Sequence, residues 1–133
     1  MRKITYLDAS ALVKLVVPET ESDALSLALA GREGFVASRL GATECRRACT
    51  LLGRSAFLEQ ADAVLDRVTL LEVSGAILEA AGRLEPANLR TLDAIHLATA
   101  LSIGADEIDV ITYDLRLAKA ARSHGLNVLQ PGA

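Results

Sequence analysis

Two short apolar stretches in this chain end in an aspartate and pass straight into a helical pattern. Ile4-Thr5-Tyr6-Leu7 is followed by Asp8 and the helix-like Ala9 to Val17. Val110-Ile111-Thr112-Tyr113 is followed by Asp114 and the helix-like Leu115 to His124. Runs this short and apolar read as buried strands, and a strand that hands over to a helix belongs to a βα unit. The rest of the chain keeps the alternation. A helix starting near Ser10 is stopped by Pro18, and a second, Ser22 to Ala30, ends at Gly31. Phe35 to Ser38 reads as a strand. Leu40 to Leu52 and Arg54 to Asp66 read as helices divided at Gly53, and Val68 to Val73 as a further strand. Ser74 N-caps a helix to Leu84, and Glu85-Pro86-Ala87-Asn88 is a turn. Thr91 to Ile103 is an almost wholly apolar helix ended by Gly104. Asp109 to Tyr113, Leu115 to His124 and Asn127 to Leu129 complete the pattern as strand, helix and strand. Alternating β and α elements predict a mainly parallel sheet covered on both faces, a three-layer α/β/α sandwich.

The length of 133 residues suits one domain spanning 1–133. Hydrophobic residues make up 51% of the chain and aromatics only 3%, so aliphatic side chains must fill the core. No apolar run is long enough to span a bilayer, and Asp8 and Lys14 interrupt what a signal peptide would keep apolar. Cys45 and Cys49 are the only cysteines, which fits a reduced cytoplasmic setting. The net charge of −3 argues against binding nucleic acid through a global positive field. Any such contact must be local.

Strand ends of an open α/β sheet are where ligand sites form. Asp8 and Asp114 are placed there, and Glu44 and Asp93 come early in two further helices. Four carboxylates on one rim would repel each other unless a cation joined them. A hard, oxygen-preferring ion such as Mg²⁺ or Mn²⁺ suits that donor set. Each acid has a plainer explanation. Asp8 and Asp114 are also what helix N-caps look like, Asp93 suits a helix dipole, and Glu44 could pair with Arg47. Asp93, His96 and Thr99 form a narrow polar stripe on a helix otherwise apolar all round, which predicts a buried setting for Asp93. Ser10 and Thr112 lie where they could support the cluster, and His96, one turn after Asp93, could orient that carboxylate. Cys45 and Cys49 read as core residues on a face with Ala48 and Leu52, since no second Cys or His pair completes a soft-metal site. Lys14, Arg39, Arg46, Arg47, Arg90 and Arg116 could contact phosphates near the rim.

Four pieces of the chain carry a resemblance. They are Tyr6-Leu7-Asp8-Ala9-Ser10-Ala11-Leu12-Val13-Lys14-Leu15, Thr43-Glu44, Leu92-Asp93-Ala94-Ile95-His96-Leu97-Ala98 and Thr112-Tyr113-Asp114-Leu115-Arg116-Leu117. Together they resemble the PIN-domain ribonucleases, in particular the VapC-type toxins of prokaryotic toxin–antitoxin pairs. The resemblance covers essentially the whole chain. It implies Asp8, Glu44, Asp93 and Asp114 as catalytic, metal-holding acids, with Ser10, Thr112 and His96 in support. It also implies an α/β/α fold, RNA as substrate (tRNA or ribosomal RNA), a small antitoxin and a homodimer. Leu12, Val16 and Val17, if exposed, are compatible with the dimer.

The implied chemistry agrees with the residues. A divalent ion bridged by carboxylates orients and activates a water for in-line attack on a phosphodiester, leaving a 5′-phosphate and a 3′-hydroxyl. No dedicated His base is needed, which suits a chain with two histidines. Three other readings stay open: a metal-dependent phosphatase, a signalling receiver, and a non-catalytic module that binds RNA or protein. Asp8-Ala9-Ser10 lacks the second Asp of an aspartyl-phosphate phosphatase, and no Asp follows Phe35 to Ser38 as a receiver requires.

Overall fold

Strand β1 (Ile4–Leu7) lies at the centre of the sheet because both its faces are apolar and both its edges are paired. The computed structural model, which describes residues 2–133, gives a five-stranded parallel sheet of order β3-β2-β1-β4-β5. The other strands are β2 (Phe35–Ser38), β3 (Thr69–Leu71), β4 (Ile108–Ile111) and β5 (Asn127–Leu129). Helices α1 (Ala9–Val16) and α2 (Ser22–Leu29) connect β1 to β2, and α3 (Arg39–Leu52) and α4 (Ser55–Leu65) connect β2 to β3. Helices α5 (Gly75–Ala81) and α6 (Thr91–Ile103) carry the chain back across the sheet to β4, and α7 (Leu115–Ser123) leads to β5. The expected three-layer sandwich is therefore what the chain forms, and the expected elements differ from the observed ones only at their ends.

Neighbouring residues of a strand face opposite layers. Leu7 and Ile111 pack with Ala11, Leu12, Leu25, Cys45 and Cys49 on the α1–α4 side. Tyr6, Ile108 and Val110 pack with Leu97, Leu117 and Ala121 on the α6–α7 side. Each fully buried leucine contributes roughly 2 kcal/mol. Leu12 and Val16 belong to this core, so two of the three residues expected to be exposed for dimerisation are not. An amphipathic α1 turns its apolar face to the sheet before any partner can use it. The exposed leucines are elsewhere: Leu51, Leu52 and Leu58 near the α3–α4 turn, Leu27 on α2, and Leu78, Leu92 and Leu115. That turn is closed by Gly53, whose φ of 72° caps α3 in the left-handed region.

From β1 the chain winds outward to β2 and β3, then returns to β4 on the other side of β1. The order reverses between β1 and β4. In open α/β sheets the crevice outside the carboxyl ends of the strands at that switch point is where ligands bind. Asp8 and Thr112 follow the last residues of those two strands. Among the described residues, no helix is long and apolar enough to cross a membrane.

Candidate active site

Asp8 is 3% exposed and both its oxygens are held. Oδ1 accepts from the Ser10 hydroxyl at 2.6 Å and from the Ala11 amide at 3.0 Å. Oδ2 accepts from the Thr112 hydroxyl at 2.5 Å. Capping and site-building are thus not alternatives at Asp8: one oxygen caps α1 while the other ties β1 to the end of β4. Ser10 in turn accepts from the Tyr113 amide at 2.9 Å, and Thr112 accepts from the Asp114 amide at 3.1 Å. Burial pushes the Asp8 carboxyl above the usual range, although the Ser10, Thr112 and Ala11 donors and the His96 charge oppose it.

Asp114 caps α7, its Oδ1 accepting from the Arg116 and Leu117 amides at 2.9 and 3.1 Å. Its Oδ2 has no donor among the described residues. Asp93 lies in the first turn of α6 and is half-buried, not enclosed as the apolar helix predicted. The deeply buried part of α6 begins one residue later, at Ala94, and Leu92 is exposed. The difference is positional: Thr91 to Asp93 are exposed or half-buried, while Ala94 to Ala100 are buried. Burial, then the neighbouring Asp114 charge, raise the Asp93 pKa; His96 and Arg90 oppose, and Asp8 adds to the rise. Asp93 therefore lies near enough to Asp114 and Asp8 to feel both charges.

Glu44 is turned to His96, not to Arg47. Its Oε1 lies 2.6 Å from His96 Nε2, and His96 Nδ1 lies 2.9 Å from the Tyr6 hydroxyl. A carboxylate only accepts, so Nε2 carries the proton, and in the neutral ring Nδ1 accepts from Tyr6. Burial disfavours charge on His96, but the Glu44 bond and charge, with Asp8 and Asp93, outweigh it and raise its pKa. Tyr6 is pushed far up by burial, then by Asp8 and Glu44, and stays a neutral hydroxyl. Gly41 makes room for this ring, since a Cβ there would stand 3.2 Å from His96 Cε1. The sequence reading missed Tyr6 and Gly41. A tyrosine beside the strand-end Asp, and a glycine inside a helix, were the available signals. His96 makes no bond to Asp93, and Thr99 bonds back to the Ile95 carbonyl at 2.7 Å. The stripe of Asp93, His96 and Thr99 therefore has three separate destinations.

The cations divide clearly. Lys14 is committed to Glu21 at 3.2 Å and Glu19 at 3.7 Å, with its ammonium 4.9 Å from the Tyr113 ring centre. Arg39 pairs with Glu72, and Arg46 with Asp62 at 3.2 Å. Arg47, Arg90 and Arg116 are exposed and make no ion pair among the described residues. Burial, with Cys49 beside it, pushes the Cys45 thiol up to about 12, so it stays a neutral core group.

Among the described residues, no three acidic, His or Cys side chains stand close enough to enclose an ion as they are placed. Glu44 is drawn to His96 and Asp114 to the amides of α7. The donor chemistry still fits a hard divalent cation. Asp93 has no hydrogen-bond donor among the described residues, and one oxygen each of Glu44 and Asp114 is also uncommitted. Mg²⁺ needs only one or two carboxylates and keeps several waters.

Comparison with known proteins bears on the family and the fold. Residues 5–123 match the PIN domain. Ribonuclease VapC46 of Mycobacterium tuberculosis is 46% identical over 126 residues, covering 95% of this chain and 96% of that protein. A toxin–antitoxin complex from Klebsiella pneumoniae superposes with a TM-score of 0.73 at 20% identity, over 96% of this chain and 97% of that one. The crystal structure of Mycobacterium tuberculosis VapC20, a sarcin–ricin-loop-cleaving toxin, does so with a TM-score of 0.71 at 18% identity, over 96% and 99%. The two structural likenesses speak to the fold.

Proposed function

The chain belongs to the PIN-domain family and, within it, to the VapC ribonucleases; from that premise we propose a metal-dependent endoribonuclease that is the toxin of a type II toxin–antitoxin pair. The observation that carries the site is Asp8, buried at the β1–β4 switch point and held by Thr112, Ser10 and the Ala11 amide. Asp8, Glu44, Asp93 and Asp114 are the catalytic acids and would hold Mg²⁺, or Mn²⁺ in its place. When bound, such an ion offsets charge on the phosphate and makes a water a better nucleophile. The chain's own residues then fix where things happen. Thr112 and Ser10 hold Asp8 in one orientation, and His96 holds Glu44. With both ring nitrogens engaged, His96 positions a carboxylate and is not free to shuttle protons. The water oxygen bonds to phosphorus as the bond to the 3′ oxygen breaks. That oxygen leaves as a 3′-hydroxyl, and the phosphate stays on the 5′ side of the new end. No ribose 2′-hydroxyl takes part, so RNA preference comes from shape and contacts.

The substrate is a structured RNA, tRNA or ribosomal RNA. A small cognate antitoxin and a second copy of the chain complete the reading. The exposed Leu51, Leu52 and Leu58, and a groove of about 300 Å³ lined by Leu15, Leu29, Phe35 and Val64, offer apolar surface to such partners. The chain works as one nuclease domain in the cytoplasm, where its two thiols stay reduced.

The test is cleavage of a total RNA pool with Mg²⁺ or Mn²⁺, sequencing the new ends, with Asp93→Asn and EDTA as controls. Discrete metal-dependent cuts bearing 5′-phosphates, absent in the variant, are expected. Metal-loaded, antitoxin-free protein that makes no cuts would return the chain to a phosphatase or a binding module.

Positioning of Glu44 has its own test. His96→Ala should lower kcat about 10- to 100-fold, as loss of a partner that orients a metal-holding group does. KM for RNA should change little. His96→Gln keeps an N–H donor for Glu44 and should recover part of the loss. Equal kcat in wild type and His96→Ala would show that the bond has no part in catalysis.

A further inference from the structure

We propose that the groove between α7 and the Glu85–Leu89 segment is the path of a single RNA strand leaving the acidic cleft, its phosphates held by Arg116 and Lys119. This rests on the nuclease reading and adds to it a binding track with named residues. The groove has a volume of about 860 Å³. One wall is the Glu85–Leu89 segment, and the other is the α7 face carrying Arg116, Lys119 and Ser123. Those three positions fall at i, i+3 and i+7, so they line up along one side of the helix. The row begins two residues after Asp114, at the mouth of the acidic cleft. At 1.5 Å per residue it runs about 10 Å, which is the rise of about three stacked nucleotides. At its far end the His124 ring bonds the Glu85 carbonyl at 2.7 Å and fixes the two walls against each other.

Placement distinguishes the cations of this face. Lys14, Arg32, Arg39, Arg46 and Arg83 are paired with acids, and Lys3, Arg47, Arg54 and Arg67, also without an ion pair among the described residues, do not line this groove. Arg116 and Lys119 are exposed and make no ion pair among the described residues, and Arg90, next to Leu89 at the mouth, is likewise without one. In a chain of net charge −3 these form a local cationic lane where the overall field is unhelpful. Glu85 is the one acid lining it, so Arg116 and Lys119 leave the lane with a net positive charge. No Phe, Tyr or Trp lines the groove, so bases cannot stack along it as they do on aromatic platforms. Ser123 and Asn88 add a hydroxyl and an amide able to meet phosphate or a ribose 2′-hydroxyl. The track therefore grips backbone and tolerates any sequence, which leaves the choice of cut site to the cleft itself.

The experiment uses Asp8→Asn protein in Mg²⁺ and a single-stranded RNA of about twelve nucleotides, within the range such grooves accommodate. Affinity is measured against salt for the parent, for added Arg116→Gln/Lys119→Gln, and for a control with the same net charge, Lys3→Gln/Arg54→Gln. Losing two phosphate contacts should make the log–log salt slope shallower by about 1.4, so a fourfold rise in salt costs the parent about 7-fold more affinity than the groove variant. The control should match the parent. With Asp8 restored, the groove variant should show raised KM and nearly unchanged kcat. A groove variant indistinguishable from the control, while wild type cleaves and the parent binds, overturns the track alone. RNA neither bound by the parent nor cleaved by wild type overturns the nuclease reading and the track together.

Discussion

Asp8→Asn keeps the fold and lowers RNA cleavage by about 10²- to 10⁴-fold, the scale seen when a charged or proton-handling group is lost from a site. The asparagine carbonyl still accepts from the Ala11 amide and the Ser10 hydroxyl, so α1 keeps its cap. Its amide nitrogen cannot accept from Thr112, whose bond to Oδ2 is lost along with the negative charge. Because burial raises the Asp8 pKa, ionising it in the folded protein works against stability. The variant should therefore melt at the same temperature as metal-free wild type, or higher. A thermal shift with Mn²⁺, present in wild type and absent in the variant, ties the loss to ion binding. Undiminished cleavage by folded Asp8→Asn protein would remove Asp8 from the site.

The second large effect lies at the opposite edge of the sheet and concerns stability alone. Asp109, near the start of β4, is 1% exposed. It accepts from Arg32 Nη1 at 2.8 Å, Asn127 Nδ2 at 2.7 Å, and the backbone and side chain of Arg2 at 3.3 Å. Arg32 also reaches the Thr5 hydroxyl at 3.3 Å. Asp109→Ala strands a mostly buried guanidinium, and breaking such a pair from one side costs about 3–5 kcal/mol. That is a large part of the 5–15 kcal/mol a domain typically has. The loss should appear as a lower urea midpoint at an unchanged m-value. If the single variant fails to fold, Arg32→Met/Asp109→Leu should recover much of the stability, because the stranded charge is gone. A midpoint unaffected by Asp109→Ala would show that the network contributes nothing.

The same group sets an acid limit. Burial alone would raise the Asp109 pKa, but Arg32, Asn127 and the Arg2 amide outweigh it and hold the carboxyl at about 2. The unfolded value is near 3.9, so the folded pKa is depressed and the carboxylate stabilises the fold above about pH 4. As pH falls from there through about 2, roughly 2–3 kcal/mol is lost. Asp109→Asn should flatten that part of the stability–pH curve.

Much of this was legible in one dimension. Short apolar runs between capped helices located all five strands, and an aspartate after β1 and after β4 marked the edge where a site belongs. Asp8 showed where one-dimensional reading stops. Capping and site-building looked like competing explanations, but a carboxylate has two oxygens and Asp8 uses one for each. Asp109 left a signal that went unread: an acid flanked by Ile108 and Val110 in a buried strand must have a partner. Which partner could not be read, because Arg32 is 77 residues away. Glu44 likewise meets His96 across 52 residues, and Tyr6 meets His96 across 90.

Local order in the chain determined the α/β alternation and the caps, since periodicity, cap chemistry and strand length act over a few neighbouring residues. Tertiary structure decided everything that depends on strand order. By returning β4 to the far side of β1 it brought Thr112 onto Asp8 and the start of α6 beside both. It also buried Leu12 and Val16, turned Glu44 to His96, and left Arg116 and Lys119 unpaired along a groove. Such pairings follow from which surfaces a right-handed parallel crossover lays together, and no spacing along the sequence encodes that.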